Sequence, residues 1–300
     1  MTPSFLPYGD STLRLTSSHA LGVTSTGSLD GFPVFHFHGH GSSRLEVHLV
    51  AAAARKTGVL LIGLDRPGIG LSDPWPHFQI LDWPPLVAEV ADRLSLDRFA
   101  VLGVSAGGAY ALACAYQIPE RLFSCGVVST VPPSVMMRES GPGLLRMLWR
   151  MEDSLPWLYQ AYTRVLSRFI GSDEATIEKY LFQYRARLGA ADQRILDQPE
   201  LRKALVRALA ESHRQGGEAN RNETLNLARP WGFEIGKILF EEIYLWHGNE
   251  DRAMPPAPAR QLAQALPQCT ATFFPDEGHF STLANHAEEI LGAIKSARGS

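Results

Sequence analysis

One short segment of the chain combines a buried-strand pattern, a glycine-flanked serine and a helical pattern. Residues 99–104 are apolar and β-prone, Ser105 follows them, and residues 109–116 form an alanine-rich tract without glycine or proline. Gly103 and Gly107 lie two residues before and after the serine. This Gly-x-Ser-x-Gly pattern is typical of a nucleophile on a sharp strand-to-helix turn, although an ordinary βα turn is the alternative. The segment therefore predicts a strand–turn–helix unit with an outward-facing serine hydroxyl.

Strand-like and helix-like segments alternate on both sides of this turn. Strands are predicted at residues 59–64, 99–104, 125–129, 242–246 and 270–274, and the first of these is a continuous apolar run. Helical patterns are predicted at residues 45–56, 86–94, 109–116, 258–266 and 284–297. Continuous apolar strands indicate burial on both faces, and their alternation with helices predicts a mostly parallel sheet covered by helices. Three earlier runs are predicted as antiparallel edge strands: residues 12–15, 20–26 and 33–37.

The alternation of strands and helices stops in the middle of the chain. Residues 132–228 have helical periodicity and no convincing strand, with a polar stretch at 215–222 that predicts a loop. A chain of 300 residues with 45% hydrophobic content can form one large domain with an insertion. We therefore predict a core formed by residues 1–131 and 229–300, and a helical cap formed by residues 132–228.

Composition argues against several classes of partner. A net charge of -3 and a pI near 6.4 give no long-range attraction to nucleic acid or to an anionic membrane, which leaves a small-molecule substrate. No secretory signal and no span-length apolar stretch is visible, and three cysteines without metal-type spacing favour a reducing interior. We therefore expect a cytoplasmic protein. The sequence does not indicate its oligomeric state.

Motifs for metals and nucleotides are missing from the sequence. There is no Cys-x-x-Cys pair and no P-loop, and the one His-x-x-x-His pair, His36 and His40, lies on a strand and its exit loop rather than on a helix. We therefore expect no cofactor and no metal ion.

A serine nucleophile needs a base and a group that orients the base. Asp251 lies in the loop after the strand at 242–246, and His279 follows the strand at 270–274 beside a glycine. Both positions belong to the carboxyl edge of a parallel sheet, where such folds build their sites. Three other acidic residues could hold the histidine instead: Glu250, Asp276 and Glu277.

These motifs, taken in order, resemble the α/β-hydrolase superfamily, in particular esterase-like members with a helical cap. The resemblance covers nearly the whole chain and rests on five motifs: His38-Gly39, residues 65–73, residues 103–107, residues 247–251 and Gly278-His279. It implies the α/β-hydrolase fold, with a mostly parallel central sheet, helices on both faces and an inserted all-helical cap.

The resemblance also implies roles for individual residues. Ser105 would be the nucleophile, His279 the general base and then acid, and Asp251 the orienting carboxylate. The backbone N–H groups of His40 and Ala106 would form the oxyanion hole.

Other motif residues are interpreted mainly as structural supports of the site. The resemblance implies that the segment with Asp65 and Arg66 shapes the sheet edge and the pocket wall, and we interpret both residues as structural. We interpret His38 as a packed support for the oxyanion loop. The imidazole of His40 could also face the substrate. Related chains often carry proline where this chain has Gly41, which predicts a more flexible loop.

The predicted function is a serine hydrolase that cleaves an ester, thioester, amide or carbon–carbon bond of a small, mainly apolar acyl substrate through an acyl-enzyme on Ser105. One alternative is a lyase, cyclase or acyltransferase that uses the same triad, because a large apolar cap could exclude water. Another is a ligand receptor on the same fold. Four arginines of the cap could bind a substrate carboxylate, although a solvated helix face is the preferred interpretation: Arg138, Arg146, Arg150 and Arg185.

Overall fold

The computed structural model places an eight-stranded sheet at the centre of the residues it describes, 9–141, 143–169 and 173–297. The strands are β1 (Ser11–Arg14), β2 (Ala20–Gly27), β3 (Phe32–Phe37), β4 (Val59–Leu64), β5 (Phe99–Val104), β6 (Leu122–Val128), β7 (Ile243–Gly248) and β8 (Thr270–Phe274). Their order across the sheet is β1-β2-β4-β3-β5-β6-β7-β8. β2 is antiparallel to both β1 and β4, and every other pairing is parallel, so the prediction of a mostly parallel sheet is confirmed.

The position of β3 differs from the prediction. Residues 33–37 were expected at an antiparallel edge, but β3 lies inside the sheet, parallel to β4 and β5. Val34 and Phe35 point to opposite faces of the sheet, and both are fully buried. An apolar run that is buried on both faces suits an internal strand rather than an edge.

Helices cover both faces of the sheet. Within the described residues they are α1 (Ala51–Thr57), α2 (Trp83–Arg93), α3 (Gly107–Gln117), α4 (Ser134–Ser140), α5 (Gly143–Ser154), α6 (Pro156–Phe169), α7 (Glu174–Arg185), α8 (Ala190–Asp197), α9 (Pro199–Ser212), α10 (Glu218–Ala228), α11 (Pro256–Ala265) and α12 (Ser281–Ser296). One buried cluster packs α2, α3 and α11 against one face, and a second packs α1 and α12 against the other. None of the helices in these ranges combines the length and apolarity that a membrane span needs.

Seven helices, α4 to α10, connect β6 to β7, and the described part of this connection contains no strand. We call them the inserted helices. They occupy the predicted insertion, and the division of the chain at residues 132 and 228 into cap and core stays a prediction.

Three helix boundaries differ from the predictions because packing and local chemistry override the apolar pattern. The tract at 45–56 is a 3-10 helix over Arg44–Val50 followed by α1. α2 begins at Trp83, three residues early, since prolines in a first turn lose no hydrogen bond. The polar stretch at 215–222 is a loop only in part, because α10 begins at Glu218 and buries polar side chains such as Asn220.

Candidate active site

Ser105 lies on a sharp turn between β5 and α3, as the sequence predicted. Its φ is 51°, in the left-handed region that residues other than glycine rarely adopt. A Cβ atom at Gly107 would overlap the carbonyl oxygen of Phe37, and one at Gly103 would overlap that of Gly107. The Ser105 N–H donates to Val128 O over 2.9 Å, which ties the turn to β6. The two glycines therefore permit the close approach that the turn requires.

Asp251 and His279 lie together beyond the carboxyl ends of β7 and β8. The Nδ1 atom of His279 is 2.8 Å from Asp251 Oδ2. Because a carboxylate only accepts hydrogen bonds, Nδ1 carries the proton and Nε2 is left as the acceptor. The other oxygen, Asp251 Oδ1, accepts the N–H groups of Ala253 and Met254 over 2.9 and 2.7 Å.

Of the four acidic residues considered from the sequence, Asp251 is the one that contacts the His279 ring within the described residues. Glu277 instead accepts hydrogen bonds from Asn285 over 3.0 Å and lies 3.4 Å from His286. The structure therefore brings Asp251 to the histidine and turns Glu277 away from it.

Ser105 and His279 line one cavity of about 290 Å³. Most of its wall is apolar, and the inserted helices and α12 contribute these aliphatic side chains: Leu181, Ile195, Leu201, Leu205, Leu209 and Leu283. A mostly apolar cavity with a few polar groups is typical of a small-molecule site.

Two further predicted groups are backbone N–H groups, that of His40 in the loop after β3 and that of Ala106 in the turn after β5. Within the described residues, the N–H groups of His40 and Ala106 donate no hydrogen bond to another group of the protein. The neighbouring Gly39 N–H is different, because it donates to Glu46 Oε2 over 3.1 Å. The His40 ring contacts α10 through Thr224 Oγ1 at 2.8 Å. The N–H groups of His40 and Ala106 are therefore both available to donate hydrogen bonds to an anionic oxygen.

Gly41 has a structural reason for replacing the proline of related chains. Its φ is 71°, whereas the proline ring fixes φ near −65°. A proline at this position could therefore not follow the backbone path that the loop takes here.

The environment of His279 favours the charged form of its ring. Burial alone would lower the pKa of His279, but the nearby carboxylate of Asp251, through its charge and its hydrogen bond, and then Asp192 and Glu46 outweigh that effect. The pKa of His279 is therefore raised above its ordinary value of 6.5. An imidazolium that forms during a reaction would be stabilised here.

Asp65 and Arg66 occupy supporting positions, in keeping with the interpretation from the sequence. Asp65 is buried against Arg44, whose guanidinium also binds Glu211 of α9 over 2.7 Å. Burial raises the pKa of Asp65 to about 6, against the opposing charge of Arg44. Arg66 donates to the carbonyl oxygen of His38 over 2.8 Å. Among the described residues, neither Asp65 nor Arg66 lines the cavity that contains Ser105.

The four arginines considered as carboxylate ligands do not line this cavity among the described residues. Arg185 pairs with the exposed Asp197 over 2.6 Å, and Arg146 and Arg150 are exposed. Arg138 donates to the carbonyl oxygen of Ala228 over 2.9 Å. The interpretation as a solvated helix face is therefore consistent with Arg146 and Arg150, whereas Arg138 is half-buried and binds the backbone.

The sequence reasoning missed two carboxylates near His279. Glu46 lies in the 3-10 helix after β3, lines the cavity and is 3.0 Å from the buried His36. Asp192 lies in α8 and is fully buried against the backbone of residues 279–281. Glu46 lies seven residues after Gly39 of the His38-Gly39 motif, whereas no local pattern marks Asp192.

Comparison with known proteins identifies the class that this fold and site define. A family model described as alpha/beta hydrolase fold matches residues 33–285. The chain therefore belongs to the alpha/beta hydrolase family. The structure of a hydrolase from Pseudomonas aeruginosa PA01 superposes with a TM-score of 0.70 and 15% identity, covering 97% of this chain and 99% of that one.

Three of the curated relatives are named as a depolymerase, a hydrolase and an esterase. A poly(3-hydroxyalkanoate) depolymerase of Ectopseudomonas oleovorans is 30% identical over 48% of this chain and 50% of its own length. A 2-hydroxy-6-oxo-2,4-heptadienoate hydrolase of Pseudomonas putida is 28% identical over 68% of this chain and 65% of its own. A pimeloyl-[acyl-carrier protein] methyl ester esterase of Nitrosomonas europaea is 29% identical over 72% and 76%. The chain thus spans between half and two thirds of the first two relatives' length.

Proposed function

We propose that the protein is a serine hydrolase that cleaves a small, mainly apolar acyl substrate through an acyl-enzyme on Ser105. The observation that carries this proposal is the pairing of Asp251 with His279, whose side chain lines the same mostly apolar cavity as Ser105. The relative named as a methyl ester esterase supports an ester as the bond that is cleaved. Thioester, amide and carbon–carbon bonds remain within the same chemistry.

The first half of the proposed reaction forms the acyl-enzyme. His279 Nε2 accepts the hydroxyl proton as Ser105 Oγ attacks the carbonyl carbon, and Asp251 stabilises the imidazolium that results. The carbonyl oxygen, which becomes negatively charged, accepts hydrogen bonds from the N–H groups of His40 and Ala106. As the tetrahedral intermediate collapses, the imidazolium returns its proton to the leaving group, and the acyl group stays on the serine.

The second half releases the acyl group. A water molecule attacks the acyl carbon while His279 takes a proton from it, and the collapse of this intermediate returns the proton to Ser105. The products are the carboxylic acid and the leaving alcohol, and the protein returns to its starting protonation state. The substrate, the residues of this chain and one water molecule account for every atom in the two steps.

A panel of p-nitrophenyl esters tests the proposal and the apolar character of the cavity. We expect an initial burst of p-nitrophenol, and kcat/KM that rises by up to about fourfold with each added methylene until the cavity is full, because each buried methylene contributes about 0.8 kcal/mol. Leu205→Trp should move the preferred chain to a shorter length, whereas the control L239W, at a side chain that is 79% exposed, should not. No turnover of any ester would contradict the proposal for ester substrates.

Turnover in ¹⁸O-labelled water separates hydrolysis from the alternatives. A hydrolase places one labelled oxygen in the released acid, because water is the final acceptor. A lyase, cyclase or acyltransferase that used the same residues would release unlabelled product. A receptor would bind its ligand without turnover.

The raised pKa of His279 predicts the pH dependence of the reaction. The ring acts as a base only in its neutral form, and its neighbours keep it protonated to a higher pH than an ordinary histidine. We therefore expect kcat/KM to be low in acid and to rise with pH through an inflection above 6.5. A pH profile measured with one ester checks this, and a rate that is already at its plateau below that value would contradict it.

A further inference from the structure

Asp192 of α8 holds the backbone of the segment that carries His279. Its carboxylate is fully buried and accepts three consecutive N–H groups, from His279 and Phe280 over 2.9 Å and from Ser281 over 3.0 Å. Gly278 lies directly against the same carboxylate, because a Cβ atom there would overlap it. These contacts join an inserted helix to the segment at which α12 begins.

Two carboxylates from different parts of the chain therefore fix His279. Asp251, from the loop after β7, holds the ring at Nδ1, and Asp192, from the inserted helices, holds the main chain. The three N–H groups that Asp192 accepts lie at the start of α12, where they have no partner within the helix. A buried negative charge at a helix N-terminus is also stabilised by the helix dipole. Three donors, one carboxylate and a glycine fit closely together, which indicates that this contact is specific.

We propose that Asp192 is a positioning residue through which the docking of α8 sets the place of the His279 ring in the cavity that Ser105 also lines. The inference rests on the proposed function. It adds that the position of the inserted helices controls whether His279 is held where it can act as a base. When α8 is docked, His279 is held at both its backbone and its ring. When α8 moves away, three buried N–H groups lose their acceptor, so the segment shifts and carries the ring out of its position in the cavity. His279 is therefore held in position to act as a base only when the inserted helices are closed on the cavity.

The charge of Asp192 also acts on His279. The groups that face this ring are Asp251 beyond β7, Asp192 on α8 and Glu46 on the 3-10 helix, together with the titratable His247 and Tyr184. All three carboxylates raise the pKa of His279. Removing the charge of Asp192 should therefore lower the pKa of the histidine, an effect that a purely structural contact would not produce.

Asp192→Asn is the variant that tests this inference. It keeps the size of the side chain but removes the charge and one of the two acceptor oxygens. We expect kcat to fall about tenfold or more, since a small misplacement of a catalytic group is costly, with little change in KM. We also expect the inflection of the pH profile to move to lower pH. An NMR titration of the His279 ring, assigned with H279Q, should show the same downward shift without any turnover.

Glu211→Gln is the matched control. Glu211 is also a carboxylate that joins an inserted helix to the core, through Arg44, but it does not contact His279. We expect E211Q to lower the melting temperature without moving the NMR titration of His279 or the inflection of the pH profile. If D192N left kcat and both titrations at the values of the unmodified protein, the inference would be wrong.

Gly278→Ala gives a second route if D192N does not fold. Its added Cβ displaces the Asp192 carboxylate without removing its charge, so we expect the same loss of kcat. Full activity of G278A, with the NMR titration of His279 unchanged, would overturn the inference. The NMR titration does not depend on the reaction, so a failure of the proposed hydrolysis would show separately, as turnover that survives in S105A.

Discussion

Ser105→Ala is expected to lower kcat by about 10⁴-fold or more, because the hydroxyl is the proposed nucleophile and the three residues act as a unit. The fold should survive, since the turn is held by the two glycines and by main-chain hydrogen bonds to β6 and the segment after it rather than by the hydroxyl. Steady-state kinetics on the best p-nitrophenyl ester measures this effect.

Ser95→Ala is the control for this experiment. Ser95 also has a left-handed backbone, with a φ of 57°, and it is exposed. It lies before β5, whereas Ser105 follows that strand, so the two serines are at opposite ends of it. Both variants place alanine at a positive φ, but S105A changes the candidate active site and S95A changes an exposed residue at the other end of β5. Activity lost in S105A and kept in S95A assigns the loss to chemistry, whereas an active S105A would contradict the proposed mechanism.

Asp251→Asn is expected to lower kcat by about 10⁴-fold, the size of effect seen when the orienting acid of such a triad is made an amide. The amide can present an N–H toward His279 Nδ1, which favours the tautomer that carries its proton on Nε2. That tautomer cannot accept the proton of Ser105. The pKa of His279 should fall as well, because the charge of Asp251 raises it.

Glu277→Gln is the control for the orienting acid. Glu277 was an alternative to Asp251 from the sequence, but its carboxylate binds Asn285 and does not contact the His279 ring. We expect E277Q to keep kcat within about twofold of the unmodified protein, as for a group outside the reacting set. If E277Q were inactive and D251N active, the assignment of the acid would be wrong.

The parts of the site that local sequence could predict are those that follow strand ends. Ser105, Asp251 and His279 each lie just beyond an apolar strand, and parallel strands bring such loops to one edge of the sheet. The chemistry of the three residue types then limits the roles that they can take. The continuous apolar character of β4 and β5 likewise predicted their place inside the sheet.

The parts that local sequence could not predict depend on contacts between distant segments. The internal position of β3 is decided by its pairing with β4 and β5, and a short strand-like run does not carry that information. The polar start of α10 is helical because it packs on the loop after β3, and composition alone favoured a loop. Asp192 is 87 residues from His279 in the chain, so no spacing rule could have connected them.

Labelling with a fluorophosphonate probe, followed by mass spectrometry of the peptides, tests the central claim most directly. A serine activated by a neighbouring base is the group that such a probe modifies. The account predicts one adduct, on Ser105, which forms at the same rate in S95A and is lost in S105A. An adduct on another residue, or an unlabelled Ser105 in protein that turns over its ester, would contradict it.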